Sequence, residues 1–299
     1  MTALNCTETV SEPHGPYQIL VGAAGRAKTR GRFEIVRLNR PGRRLDASMQ
    51  ARVIDCFART TDALYQADTS FHWRSRTDYF GTLDVLWAVF LDRQLVGFTG
   101  IRTLHGAGER IVYIDNMNVH PVPHKVFGRH TIGSMLVHEI LWATVPLAGP
   151  PMSVVFRTQN PSVYRLAYAI HPTAVYPRVM QAQPRDEARS KRVVDFLAAT
   201  LSPDKVFEND ISVIRNAYGG HIYGRPESSP ASLKPALAKY WKEHVRLEAG
   251  DAVLISVCPT HAEVRGIVWR YLKALARSTF TRWLAALTES RRAGRETSL

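Results

Sequence analysis

Three apolar runs separated by tight turns constrain this chain more than any other feature. Val85–Leu91 leads through Asp92-Arg93-Gln94 into Leu95–Leu104, and Gly106-Ala107-Gly108 leads on into Ile111–Val119. Runs of this length on hairpin spacing predict an antiparallel meander. A loop carrying Pro121 and Pro123 then precedes a helix from about Thr131 to Ala143. The breaker Pro146–Pro151 comes before a strand at Ser153–Arg157, and Asn160-Pro161 opens a short helix to about Ile170, since proline suits a first turn. Antiparallel strands first, then a helix and strands of mixed order, predict an α/β fold: a mixed, mostly antiparallel sheet flanked by helices.

The flanks extend this plan. Residues 1–31 read as an irregular lead-in with one short strand at Tyr17–Val21, and Phe33–Leu38 alternates like a first strand. Asp46 or Ser48 caps a helix through about Ala67, with Met49, Val53, Phe57 and Leu64 along its stripe. Beyond His171-Pro172 the expected elements are a helix at Asp186–Leu201, a strand at Asp210–Asn216 and a helix at Ser232–Leu247. A strand at Ala252–Val257 and a last helix at Glu263–Leu287, with a polar tail, complete them. The organisation expected is a lead-in (1–31), a main domain (32–260) with 177–250 as an insertion, and a basic C-terminal helical extension (261–299).

No uninterrupted apolar run approaches the ~18–20 residues of a membrane span. The start, Met1–Cys6, has neither a basic nor an apolar leader segment. Three dispersed cysteines form no CxxC pair and suit a reducing compartment, so the expectation is a cytoplasmic protein.

Charge is the anomaly, with 39 Lys+Arg against 26 Asp+Glu. Between Val21 and Arg44 eight bases face one acid, and from His261 to Leu299 eight bases face three. Such flanks suit an anionic partner, whether nucleic acid, an acidic carrier protein, a phosphorylated cofactor or an anionic membrane surface, or else simple solubility in an arginine-rich chain. On the last helix, Val264, Val268, Tyr271, Leu272, Leu275, Phe280, Leu284 and Leu287 recur at helical spacing among these bases. That pattern fits packing on the sheet, packing on a second copy as a homodimer, or carrier-protein or membrane-surface docking.

The chemistry-bearing segment is the strand Ile111–Val119, its loop and the helix beyond. Amides at a helix N-terminus converge on one point where the dipole adds positive potential, which is how such turns bind phosphate. Gly128 and Gly133 let the backbone approach closely, and Lys125, Arg129 and His130 add cations.

Val119-His120-Pro121 followed by Thr131-Ile132-Gly133-Ser134-Met135-Leu136 resembles the central motif of the GNAT superfamily of acyl-CoA-dependent N-acyltransferases. Lys125–His130 is an alternative frame for the same turn, and Thr131 stands where the first turn glycine usually sits. Val96–Gly100 resembles the hairpin strand before the motif, and Thr158–Leu166 the strand-to-helix junction after it. The resemblance covers roughly residues 32–180, with its core motifs in 84–180.

The resemblance implies an N-acyltransferase that takes its acyl group from acetyl-CoA or another acyl-CoA, or from a carrier-protein thioester. The acceptor would be an amine on a small molecule or a protein. It implies that the strand around Met117, Asn118 and Val119 parts from its neighbour and pairs with the pantetheine arm. Thr131, Ile132, Gly133 and Ser134 would cradle the pyrophosphate, and Asn160 would bond the pantetheine amide or simply cap its helix. Asp115 occupies the place of an acidic general base, on a face shared with Tyr113, Met117 and Val119; the alternative is a hydrogen-bonded structural carboxylate, or one facing water at the open side of the sheet. His120 and His124 are alternative bases, because an imidazole titrates near pH 7. Tyr164 and Tyr168 bracket the usual position of a leaving-group acid. The cluster Phe71-His72-Trp73 and Tyr79-Phe80 lies where this family often builds its acceptor pocket, and equally fits a place in the core. The residues show no metal-binding frame and no Ser-His-Asp or HExxH spacing. The rival reading is a non-catalytic GNAT-like protein that binds nucleic acid or an acidic protein through its basic flanks.

Overall fold

Pro16, behind Gly15, starts a helix where the sequence suggested a strand. In α1 (Pro16–Ala24), Tyr17, Leu20, Val21 and Ala24 recur at helical spacing and pack inward. Gly25, at φ +78°, ends it by donating its N–H to the Val21 carbonyl, a conformation that favours glycine. The computed structural model describes residues 15–30, 32–74, 76, 78–120, 132–144, 152–180, 187–222, 234–267, 269 and 273.

The short strand β1 (Lys28–Arg30) pairs with β2 (Phe33–Asn39). Helix α2 (Ala47–Tyr65) is capped by Asp46, whose carboxylate accepts the Met49 N–H at 2.8 Å. Its buried stripe is Val53, Phe57, Thr61 and Tyr65, whereas Met49, in the first turn, is exposed. Gln66 turns left-handed and stops the helix before Ala67. Two short helices, α3 (Ser70–Arg74) and α4 (Tyr79–Thr82), lead to the meander.

The meander forms as its spacing dictates: β3 (Val85–Leu91), β4 (Gln94–Gly106) and β5 (Glu109–Val119) run antiparallel. After α5 (Ile132–Thr144), β6 (Met152–Thr158) lies parallel to β5. Then come α6 (Pro161–Ile170), β7 (Val175–Tyr176), α7 (Ala188–Leu201), β8 (Phe207–Glu208), β9 (Val213–Ile214), α8 (Pro235–His244) and β10 (Ala252–Val257). The strand expected at Asp210–Asn216 shrinks to β9, because a 3-10 turn occupies Asn209–Ile211 and both Ser212 and Asn216 are left-handed. Residues 261–267 are helical; the rest of the expected last helix, apart from residues 269 and 273, lies outside the described residues.

Among the described residues the strands make one mixed, mostly antiparallel sheet in the order β1-β2-β3-β4-β5-β6-β10-β9-β8, with β7 beside β10. The stretch 177–250 adds strands to this sheet. Helices cover both faces. On one side α5, α6 and α8 bury Leu136, Ile140, Tyr164, Ala167 and Leu237 against Val112, Ile114, Val154 and Phe156. On the other side two separate clusters form. Helices α1 to α4 pack over β2 to β4 around Phe57, Phe80 and Phe98, while α7 packs over Ile111, Tyr113, Val155 and Leu254. Arg189 of α7 clamps the Glu109 carboxylate through Nε at 2.6 Å and Nη2 at 2.8 Å. The gap between the two clusters, over the middle of the sheet, is where the polar residues gather.

Candidate active site

Strand β6 accompanies β5 only part of the way. Their parallel ladder ends at Ile114 opposite Phe156, yet β5 continues to Val119. Beyond that point β6 keeps its pairing to β10, with Arg157 opposite Leu254 and Thr158 opposite Val253. The two strands therefore part, leaving one edge of residues 115–119 without a β6 partner.

The parting coincides with a β-bulge. Gly100 lies opposite Asn116 and Ile101 opposite Ile114, so Asp115 is the extra residue. The bulge reverses the alternation of side chains. Ile111 and Tyr113 pack under α7, while Met117 and Val119 pack on the α5 side with Val112 and Ile114. The expected common face of Tyr113, Asp115, Met117 and Val119 is thus corrected, because a regular period of two does not survive an inserted residue.

Side chains from α2 to α4 fix the bulge. Asn116 Oδ1 accepts the Gly100 N–H at 2.8 Å and the Tyr79 hydroxyl at 2.7 Å. A Cβ on Gly100 would stand 2.7 Å from Tyr79 Oη, so glycine is what lets the ring approach. The Tyr65 hydroxyl donates to Asn118 Oδ1 at 3.0 Å. Asp115 Oδ2 accepts from Arg76 Nη1 at 2.8 Å, an ion pair whose carboxylate is 8% exposed and whose guanidinium is 13% exposed. Arg76 also lies over the rings of Trp73 and Tyr79.

Two cavities meet here. The inner one, about 60 Å³, runs along the parted edge between Tyr65, Asn116, Met117, Asn118 and Thr158. The outer one, about 540 Å³, opens between Arg102, Asp78 and the Ser202–Lys205 turn after α7. His72, Arg76, Asp115, Arg157 and Tyr218 line both. Burial, with the charges of Arg76 and Arg157 adding to it, pushes the His72 imidazole down to about 3, so it is neutral at physiological pH. Burial opposes the charge on Arg157, but the Asp115 carboxylate and a side-chain hydrogen bond with Tyr218 favour it, and its pKa is raised. The Tyr113 hydroxyl is pushed up above its ordinary range by burial.

The sequence-derived candidates separate into groups. Asp115, Met117 and Asn118 line the inner cavity. His120 follows β5, donates its N–H to the Val96 carbonyl at 2.8 Å, and is pushed down by burial. Ile132, Gly133 and Ser134 form the first turn of α5, which starts beside β5: a Cβ on Gly97, the residue paired with Val119, would lie 3.5 Å from Ile132 Cγ2. Among the described residues, a Cβ on Gly133 would meet nothing within 4 Å. His124, Lys125, Gly128, Arg129, His130 and Thr131 lie outside the described residues.

Three candidates stand elsewhere. Asn160 is the N-cap of α6, its Oδ1 accepting the Ser162 N–H at 2.8 Å. Tyr164 is fully buried, donates to the Pro177 carbonyl at 2.7 Å and accepts the Val179 N–H at 3.0 Å. Burial pushes its hydroxyl up to about 12, and it lines neither cavity, so the structure ties it to the 177–179 turn rather than to the cleft. Tyr168 packs on the α5 side beneath Lys234, also away from the cleft. Both tyrosines pack in this layer and line neither cavity. In the first basic flank, Lys28 pairs with Glu139 at 2.8 Å and Arg32 with Asp92.

No family model matches the chain, and no curated relative does. Solved structures do. The ribosomal-protein-alanine N-acetyltransferase of Brucella melitensis biovar Abortus 2308 is 19% identical, over 37% of this chain and 69% of its own, at a TM-score of 0.23. A GNAT family acetyltransferase from Elizabethkingia anophelis with acetyl-CoA bound is 14% identical, over 62% and 82%, at 0.28. The loading GNATL domain of CurA from Lyngbya majuscula is 11% identical, over 76% and 97%, at 0.32. Superpositions this loose carry no residue correspondence.

Proposed function

We propose that this protein transfers an acyl group from a thioester, of coenzyme A or of carrier-bound pantetheine, to an amine acceptor in the cleft where β5 and β6 part. The observation that carries the reading is the end of their ladder at Ile114 opposite Phe156 while β5 runs on to Val119. That parting falls on Met117–Val119, the segment which the likeness to GNAT enzymes assigns to the pantetheine arm. The start of α5 beside β5 supports the same reading, since a diphosphate there would meet helix N-terminal amides.

In this reading the thioester lies along the inner cavity and the amine enters through the outer one. Asp115, on the wall between them, receives the ammonium and carries its proton to solvent. An alkylammonium with a pKa near ~10.4 must lose that proton before its lone pair can attack. The nitrogen then bonds to the thioester carbonyl carbon and gives its second proton to solvent, the C–S bond breaks, and the departing thiolate takes a proton from solvent. Backbone N–H groups on the free edge of β5 are the available donors to the developing oxyanion.

Calorimetric titration with acetyl-CoA and longer acyl-CoAs, and thiol release in the presence of an amine panel, test the proposal. Acyl-CoA binding and amine-dependent thiol release are expected. Asp115→Asn should lower kcat by about 100-fold or more, with acyl-CoA binding close to wild type and an unfolding midpoint lowered by the loss of the carboxylate that pairs with the buried Arg76. Neither binding nor thiol release with any acyl-CoA or acyl-carrier thioester would refute the reading.

A further inference from the structure

We infer that the acceptor bears a carboxylate close to its amine and that Arg157 binds this carboxylate, so the substrate is an amino acid and not a simple amine. This deepens the acyl-transfer reading and rests on it. Arg157 is the first residue of β6 beyond the end of the β5 ladder, and it lines both cavities. Its Nη1 donates to Ser202 Oγ at 3.2 Å and its guanidinium lies 5.0 Å from the centre of the Tyr218 ring. The Tyr218 hydroxyl donates to the Arg157 carbonyl at 2.8 Å, which fixes that ring. The guanidinium also makes a side-chain hydrogen bond with Tyr218, and the group left over is Nε, buried with no partner among the described residues. A carboxylate oxygen is the natural acceptor for such a charge-assisted N–H.

A buried cation without a hydrogen-bonded anion is costly, and the surroundings deepen the deficit. The acid whose charge reaches Arg157 is Asp115, and Asp115 is bonded to Arg76. A second orphaned group here is a donor as well: Asn116 Nδ2, on the inner cavity wall, is buried and unpartnered among the described residues. His72, held neutral, adds no compensating charge. Surplus donors around one cleft call for a ligand that brings acceptor oxygens.

A carboxylate is favoured over a phosphate by the company it must keep. Asp115 lines the same two cavities as Arg157, so a doubly charged phosphate would be set against a carboxylate. A zwitterion satisfies both walls, its ammonium toward Asp115 and its carboxylate toward Arg157. The same pairing would place the amine next to the parted edge of β5, where the thioester is proposed to lie.

The test compares α-amino acids with their own carboxamides in wild type, Arg157→Gln and Arg157→Lys. Thermal shift without acyl-CoA and thiol release from acetyl-CoA are both measured, with inorganic phosphate as a control ligand. In wild type at least one amino acid should stabilise the protein, and its carboxamide should lose about 100-fold in kcat/KM. Arg157→Gln should erase that discrimination through KM, and Arg157→Lys should restore part of it. Carboxamides or plain amines that serve as well as the acids in wild type would overturn the inference and leave acyl transfer standing. Stabilisation by phosphate with none by any amino acid would also overturn it. Arg157-dependent stabilisation by amino acids without any thiol release would remove the acyl-transfer reading and keep the carboxylate site.

Discussion

Truncating Asn116 tests whether one amide holds the bulge and, through it, the cleft. Asn116→Ala leaves two buried donors without an acceptor: the Gly100 N–H, now 2.8 Å from Oδ1, and the Tyr79 hydroxyl, at 2.7 Å. Each buried donor left unpaired costs about 1–3 kcal/mol, so the expected loss is about 2–6 kcal/mol. Tyr79→Phe removes one donor and keeps the Gly100 bond, at about 1 kcal/mol. In the double variant the Tyr79 share of the Asn116 penalty is already absent, so the two changes should couple by about 1–2 kcal/mol. Urea denaturation followed by tryptophan fluorescence reads all four corners of the cycle, because Trp73 and Trp87 are buried near the bulge and beside the meander. The slope with urea should not change between variants. A loss below about 1 kcal/mol for Asn116→Ala, with no coupling to Tyr79, would show that the bulge is fixed by something else.

Three further expectations concern groups around this frame. His72 titrates near 6.5 when exposed but only at about 3 in the fold, so the unfolded chain takes up its proton first and stability falls as pH drops below 6.5. The loss between pH 7 and pH 5 should be about 2 kcal/mol larger in wild type than in His72→Asn, and equal losses in urea titrations would contradict this. Asp251 is fully buried; burial opposes its charge, but bonds from Arg246, Asn216 and Arg215 outweigh it and hold the carboxyl down at about 2, against 3.8 unfolded. Its stabilisation is complete above the unfolded value and fades as pH falls toward 2, so the pH-dependent part of the Asp251→Asn deficit should shrink from about 2 kcal/mol at pH 7 to about 1 at pH 3. Glu109→Ala strands the Arg189 guanidinium beside a buried Ser153 and should cost about 3–5 kcal/mol in denaturant, with part recovered by Arg189→Met in the same chain.

The meander was readable because turns are local: Asp92, Arg93, Ala107 and Gly108, all at positive φ, stand where the apolar runs break. The first helix was not, since Tyr17–Val21 is too short for its period to separate strand from helix. The deciding signals were Pro16 and Gly25 at its ends. Asp115 could be singled out as an acid in an apolar strand, but its neighbours could not. The bulge is set by Tyr79, 37 residues earlier, reaching Asn116, and the ion pair by Arg76, 39 residues earlier. Arg157 did carry a local sign, a charge at the end of the apolar run Ser153–Phe156. Its meaning depends on Ser202 and Tyr218, which lie in a stretch the motif left unread.

One inserted residue connects the packing to the proposed chemistry. With a regular period, Asn116 and Asn118 would point into the apolar layer beneath α5, and Met117 and Val119 would face the cleft. The extra residue at Asp115 exchanges the two sets. Met117 and Val119 then bury against the α5 side, while the asparagines meet Tyr79 and Tyr65. The polar groups of β5 are thereby delivered to the gap between the α2–α4 cluster and α7, on the same side of the sheet as Arg157, two residues along β6 from Val155. A shift of one residue would turn these groups over. The bulge therefore has to be held by more than its own ladder, which is the task of Asn116, Gly100 and Tyr79.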